Sequence, residues 1–382
     1  MKKIYAYTHQ PIHFNFAQTI ERFFVEEIPL LKFADKGSNL ILKIKKSDMS
    51  TFKLITVIAK ATKLDQRDIG YAGLKDKNAT AIQYISIPKA YEREVVKNLT
   101  TQKIEILEKH YSKFPIKVGQ LKGNKFSIVL NDVTKNAQEA IEKVANIMVK
   151  EGIPNYFGYQ RFGEDSQSYL QGKEIAHSGK KLKGAKEKLL VSAYQSFLYN
   201  EWLASRIEIS KTITSNTANN IQKTEAQKIL DYPKELIEVL AKQPHFFKLF
   251  IGDDMQTYPY GTSYPIQDFK TASQEFQAHK ASPTGLLPGT QAKRALGDAH
   301  YLEAEFDDNE LYALKGDRRY AWIWPEELSF EYNEKTQQLT IKFYLPKGAY
   351  ATTFLEEIAK RSLKPMVSKP QPKKSYDDDD DY

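Results

Sequence analysis

The sequence predicts an α+β fold, a sheet with helices packed on one face, interrupted by a second unit. Three observations carry this. Short alternating strands and amphipathic helices follow one another through residue 151, and a further strand and helix of the same kind return after residue 338. The stretch between, roughly residues 171–324, is richer in helical periodicity and polar loops.

In order, residues 39–45 read as a strand on the alternation of Leu40, Leu42 and Ile44. Ser50 or Thr51 then caps a helix with Leu54, Ile55 and Ile58 on one face. A short strand near Ile69–Tyr71 leads into the loop Gly73–Lys77, and a strand over Ala81–Ile87 stops at Pro88. A helix over Tyr91–Leu99 and strands over Ile104–Leu107 and Lys125–Leu130 come next. Ile141, Val144, Ala145 and Met148 stripe a helix from about Ala137 to Glu151, stopped by Gly152. Near the C-terminus, Gln338–Leu345 is a strand, and Ala351–Lys360 a helix with Phe354, Leu355 and Ile358 inward. Residues 1–170 and 325–362 are therefore expected to form one domain. Residues 171–324 are expected to be inserted into it, with helix over Leu189–Ile207 and a polar loop over Thr212–Thr224. Residues 363–382, rich in Lys, Pro and Asp, are an expected disordered tail.

Composition narrows the chemistry. The 382 residues are 41% hydrophobic and 27% charged, ordinary for a globular protein. There is no run of about eighteen apolar residues to span a membrane, and the N-terminus lacks the apolar core of a signal peptide, so the expected location is the cytoplasm. The chain has no cysteine. That removes disulfides, thiolate nucleophiles, cysteine zinc sites and iron–sulfur clusters, and any covalent step must use another nucleophile. The seven histidines are scattered without metal-ligand spacing, so no metal site is expected. Absence of a P-loop, HExxH or GxGxxG speaks against a nucleotide or other cofactor. Net charge is +8; without the five aspartates Asp377–Asp381, 56 basic side chains stand against 43 acidic ones. A body this basic suits a polyanionic partner. Tyr111–Lys125 and Lys180–Lys188 are the stretches that fit an RNA track, or else plain solubility surface.

The sharpest local feature is the run Gly70 to Ser86, GYAGLKDKNATAIQYIS, with one carboxylate, Asp76, between Lys75 and Lys77 in a loop joining two strands. Gly70 and Gly73 permit unusual turns or close approach of a ligand backbone. The flanking lysines would hold Asp76 ionised and meet phosphates. By residue chemistry alone, an ordinary charged turn is the more economical reading.

This run resembles the signature of the tRNA pseudouridine synthase D family, a Gly-x-Lys-Asp-x-x-Ala loop followed by a Gln strand. Phe23–Ile28 resembles the family's Asp-Phe-x-Val-x-Glu element. Pro154–Gly163 (PNYFGYQRFG), Gly285–Gly289 and Leu345–Thr352 match later elements in the family's order. The resemblance implies a pseudouridine synthase catalytic domain with a mixed, mainly antiparallel sheet and an inserted family-specific α/β domain. It implies Asp76 as catalytic residue, with Phe23, Asn155, Phe157 and Tyr350 at the substrate. Phe157 would stack on the target base, and Asn155 would bind the uracil edge or hold the Asp76 loop. A core phenylalanine and a structural loop cap are the plainer alternatives for these two. Tyr350 replaces a more usual phenylalanine. Lys77 would meet RNA phosphate, as would Arg161, unless Arg161 pairs with a carboxylate such as Glu164 or Asp165.

The implied reaction is isomerisation of uridine to pseudouridine in tRNA, at uridine 13 of the D-arm, by a monomer without cofactor. Such a reaction needs no redox change or energy input, only a base flipped out of its stack. Two departures stand out. Arg22 occupies a usual aspartate position, and Ile4–Glu21 contains no Lys or Arg where the family often has a lysine. Lys75, Lys77 or Arg161 would then have to support Asp76. The alternative is a non-catalytic RNA-binding or RNA-folding protein on the same fold, which would need no carboxylate in a base pocket. A base methyltransferase is remote without a glycine-rich cofactor loop.

Overall fold

The computed structural model describes residues 3–163, 165–215 and 232–364. Its elements begin with β1 (Phe23–Pro29), β2 (Asn39–Ser47), α1 (Thr51–Thr62), β3 (Gly70–Tyr71), β4 (Thr80–Pro88), α2 (Glu92–Asn98), β5 (Ile104–Ser112), β6 (Leu121–Leu130), α3 (Lys135–Glu151) and β7 (Ile153–Pro154). There follow α4 (Ser168–Ala176), α5 (Gly184–Ser215), α6 (Lys234–Ala241), β8 (Asp254–Thr257), β9 (Ser263–Pro265), α7 (Phe269–Gln277), β10 (Ala281–Leu287) and α8 (Gly297–Ala304). The chain closes with β11 (Asp317–Tyr320), β12 (Trp322–Ile323), β13 (Glu326–Asn333), β14 (Gln338–Pro346) and α9 (Ala351–Ala359).

The main sheet has eight strands in the order β13-β14-β6-β1-β4-β2-β5, with β3 on β4. It is mixed, since β1 and β4 run parallel while the other pairs are antiparallel. Side-chain alternation puts the helices on one face. Leu40, Leu42, Ile44, Ile85 and Ile87 pack under α1 and α2, and Ile128, Ile341 and Phe343 under α3 and α9. Ala81 and Ile85 share a parity on β4, so both helix pairs cover the same side. They leave the middle of that side, over β1 and the start of β4, open.

Local signals explain the boundaries. Ser50 caps α1 by accepting from Lys53 N at 3.2 Å. Thr51 is not the cap: its hydroxyl donates to Gln83 Oε1 at 3.0 Å and accepts from Lys75 N at 2.9 Å. Thr134 caps α3, and Gly152 ends it at φ 82°, a region glycine enters freely. The expected strand over Lys125–Leu130 begins earlier, at Leu121, because Asn124 and Gly123 pair with Leu345 and Pro346. Likewise β5 runs past Leu107 to Ser112, held by β2 although its outer residues are charged. The expected polar loop at Thr212 starts as helix, since α5 continues to Ser215, and its remainder, 216–224, lies outside the described residues. Of the expected tail, Leu363 is buried against the α3–α9 core, whereas 365–382 lies outside the described residues.

A second core gathers on α5. Tyr199, Trp202, Leu203 and Ile207 pack with Met255, Phe276, Trp322 and Trp324. A four-stranded sheet in the order β11-β10-β8-β9 lies with it. Ala6 and Tyr156, from outside 171–324, belong to this core too, and β12 pairs with β7. Among the described residues no helix is long and apolar enough to cross a membrane.

Candidate active site

The open middle of the sheet is a cavity of about 560 Å³. Its floor is Phe23 and Val25 of β1 with Phe126 of β6; Lys75 and Asp76 close one side, Gly348–Thr352 the opposite side, and Leu189 and Leu190 of α5 a third. Four expected site residues, Phe23, Asp76, Arg161 and Tyr350, therefore meet in one space.

Asp76 is exposed at the mouth of this cavity. Its loop is tied down from three sides. Lys75 N bonds Thr51, which bonds Gln83 of β4, linking the loop to the strand it leads into. Lys46, fully buried, donates from Nζ to the Asp76 carbonyl at 3.1 Å and to the carbonyl of Met49. Burial pushes the Lys46 ammonium down to about 8, while the Asp76 charge pulls it back up. The carboxylate itself is oriented by a neutral group: Gln18 Nε2 donates to Asp76 Oδ2 at 3.1 Å, and Tyr159 OH donates to Gln18 Oε1 at 3.4 Å.

The cations expected to support Asp76 do other things. Lys75 is buried and paired with the equally buried Glu27 at 2.7 Å. Lys77 projects into water, 3.7 Å from Asp48, and does not line the cavity. Arg161 donates to the hydroxyls of Ser196 and Ser192 on α5 at 2.9 and 2.5 Å. It has no carboxylate partner among the described residues; Glu164 lies outside them, and Asp165 accepts instead from Gln167 N at 2.9 Å. The glycines differ as well. A Cβ on Gly70 would stand 2.3 Å from the Ile116 carbonyl, so the close approach there is to the chain's own backbone rather than to a ligand.

Asn155 and Phe157 stand one layer behind the cavity. Both ends of the Asn155 amide are taken: Nδ2 donates to the Tyr320 carbonyl at 2.9 Å, and Oδ1 accepts from Arg319 Nη2 at 2.8 Å. Asn155 thus reaches neither the Asp76 loop nor open cavity space in this arrangement. Phe157 packs edge-on to Tyr199 and Tyr350, and the Arg319 guanidinium covers its ring at 4.0 Å from the centroid. Arg319 lies over one face of this half-buried ring, and Phe157 does not line the cavity, whose aromatic walls are Phe23, Phe126 and Tyr350. Burial raises the Tyr350 phenol pKa against the pull of Arg319 and Arg161, with Asp76 adding to the rise, so the hydroxyl keeps its proton as a donor.

Gln18, Lys46 and Arg319 were not singled out by the sequence. Lys46 had a signal: it continues the parity of Leu40, Leu42 and Ile44, which places it on the buried face. For Gln18 and Arg319 no local pattern exists, since both act across more than fifty residues of chain. No cluster of metal-ligating side chains occurs among the described residues.

Set against known proteins, the chain that carries this mixed main sheet with helices on one face, this second sheet packed on α5 and this carboxylate loop at the cavity falls in the class of the pseudouridine synthases. The fold is shared with a crystal structure from Methanosarcina mazei, provisionally described as tRNA pseudouridine synthase D, at a TM-score of 0.66 and 20% identity over 94% of this chain and 96% of that one. The family description tRNA pseudouridine synthase D (TruD) matches residues 2–181 and 266–358. Proteins named tRNA pseudouridine synthase D are 44% identical in Nitratiruptor sp. (95% of this chain, 99% of the relative) and 41% identical in Wolinella succinogenes (95% and 99%). This chain belongs to the tRNA pseudouridine synthase D family, whose members are isomerases.

Proposed function

We propose that this enzyme converts uridine 13 in the D-arm of tRNA to pseudouridine, with Asp76 as the catalytic carboxylate. The observation that carries the reading is the placement of Asp76 at the mouth of a cavity walled by Phe23, Arg161 and Tyr350. Its volume of about 560 Å³ lies within the range of small-ligand sites. A uridine flipped out of its stack enters there. The N1–C1′ bond breaks, the uracil turns, and C5 joins C1′; the proton on C5 leaves to solvent and the freed N1 takes one up, so the reaction is a net isomerisation. Attack at uracil C6, attack at C1′ and a glycal route all require an ionised carboxylate beside the ribose.

In this reading Phe23 and Tyr350 hold the uracil faces, which fix the ring without fixing its edge while it turns. Arg161 meets the phosphate, and Lys77 reaches the backbone from the rim. Asn155 and Phe157 bind substrate indirectly, by positioning Arg319 and Tyr350. Residues 171–324 form the inserted domain, with α5 closing the cavity over the target. The enzyme works as a monomer in the cytoplasm, without a nucleotide cofactor.

Tritium at uracil C5 reports the reaction directly. Wild type should release it from unmodified tRNA, and Asp76→Asn should lose at least about a thousandfold in rate. Equal release from both would remove Asp76 from the mechanism. Binding without release by wild type would favour the non-catalytic RNA binder.

A further inference from the structure

Beside the reaction cavity lies a second, also of about 560 Å³, and the two share a wall: Arg161 and Leu189 line both. On its far side are Lys188 and Ser192 of α5, and Lys315 and Asp317 where the chain enters β11. Three cations, Arg161, Lys188 and Lys315, surround it against one acid, Asp317. That acid is engaged locally, its Oδ1 accepting from Arg318 N at 2.8 Å. Arg161 is held rigidly by its two serine hydroxyls, while Lys188 and Lys315 are exposed and free to turn inward. Leu189, 58% exposed, is the apolar ridge between the cavities. A large apolar side chain left in water beside a ring of cations matches the two faces of a nucleotide, one that stacks and one that is charged.

We infer that this second cavity is a nucleotide subsite, which takes the neighbour of the target uridine, its phosphate on Arg161, Lys188 and Lys315 and its base or sugar on Leu189. The inference rests on the proposed function and extends it. An RNA strand carries a phosphate at each nucleotide, so when one nucleotide is drawn into the reaction cavity its neighbour must lie against the adjoining surface. The shared Arg161–Leu189 wall is where the strand crosses. Lys188 belongs to the basic stretch Lys180–Lys188, which the fold brings to the second cavity through the start of α5.

The test uses binding without turnover, in the Asp76→Asn background, with the unmodified tRNA D-arm hairpin as probe. Two further hairpins replace the phosphate on the 5′ or the 3′ side of the target uridine by a neutral methylphosphonate. Lys188→Ala/Lys315→Ala should bind the natural hairpin about tenfold more weakly, yet lose little further on one of the two methylphosphonate hairpins. Lys143→Ala/Lys335→Ala removes the same charge from α3 and the β13–β14 turn, and any loss it causes should be equal on all three RNAs. Equal losses on all three for the Lys188/Lys315 variant, or no loss on the natural hairpin, would overturn the subsite. Tritium release by wild type on the same hairpin is read separately, so failure of the chemistry is told apart from failure of the subsite.

Discussion

In the proposed reaction the Asp76 carboxylate must be held toward the ribose, and the side-chain hydrogen bond that the structure gives it is from Gln18, at 3.1 Å. A neutral amide orients the group without adding a cation that would compete for the charge developing on the sugar. An amide bond to a carboxylate contributes about 1.5 kcal/mol, so Gln18→Ala should slow the single-turnover rate by about tenfold while tRNA binds as in wild type. A rate within twofold of wild type would show that the bond orients nothing that matters. Gln18 lies in the stretch before the Phe23 element, where the family often has a lysine and this chain has no Lys or Arg. The expected substitutes, Lys75, Lys77 and Arg161, turn to Glu27, Asp48 and two α5 serines, while Lys46 beneath the loop and Gln18 beside it hold Asp76.

Among the elements, α6 and α7 of the second unit carry a pH-sensitive contact. His245 follows α6; its Nδ1–H donates to the Phe247 carbonyl at 2.7 Å, and its Nε2 accepts from Ser273 of α7 at 2.9 Å. Both ring nitrogens are satisfied with the imidazole neutral. Burial lowers its pKa from 6.5 to about 4, with Lys248 contributing. The folded value lies below the unfolded one, so its stability contribution is complete above about pH 6.5 and is lost as pH falls through about 4. At full protonation the loss approaches about 3 kcal/mol. Urea midpoints measured from pH 7 to pH 4.5 should fall more steeply for wild type than for His245→Gln. Parallel profiles would mean that another group governs the acid limb. The sequence marked this histidine only as no metal ligand; its partners come from α7 and from a turn, and no periodicity predicts such a meeting.

For the whole molecule, charge decides affinity more than any single contact. With 56 basic residues against 48 acidic ones, five of the acids in one terminal run, the body should bind tRNA largely through phosphates. Between 50 and 200 mM salt the affinity should drop about a hundredfold, as three or four phosphate contacts would give. A dissociation constant flat over that range would remove the phosphate track. Not every lysine in the basic stretches is available to it. Lys125 is paired with Glu327 at 2.6 Å, whereas Lys188 faces the second cavity.

The sequence by itself determined the α+β class, the positions of α1, α3, β4, β14 and α9, and the loop that carries Asp76. Each rests on interactions within a few residues: period-two or helical patterning, a Ser50 or Thr134 cap, and a Gly152 stop. Tertiary structure alone decided which side chains face the cavity. Lys75 turned to Glu27, Phe157 packed against Arg319 outside the cavity lining, and Gln18 arrived at Asp76 from 58 residues away. The physical reason is that orientation within a site depends on desolvation and on partners from distant strands, which a one-dimensional pattern does not encode.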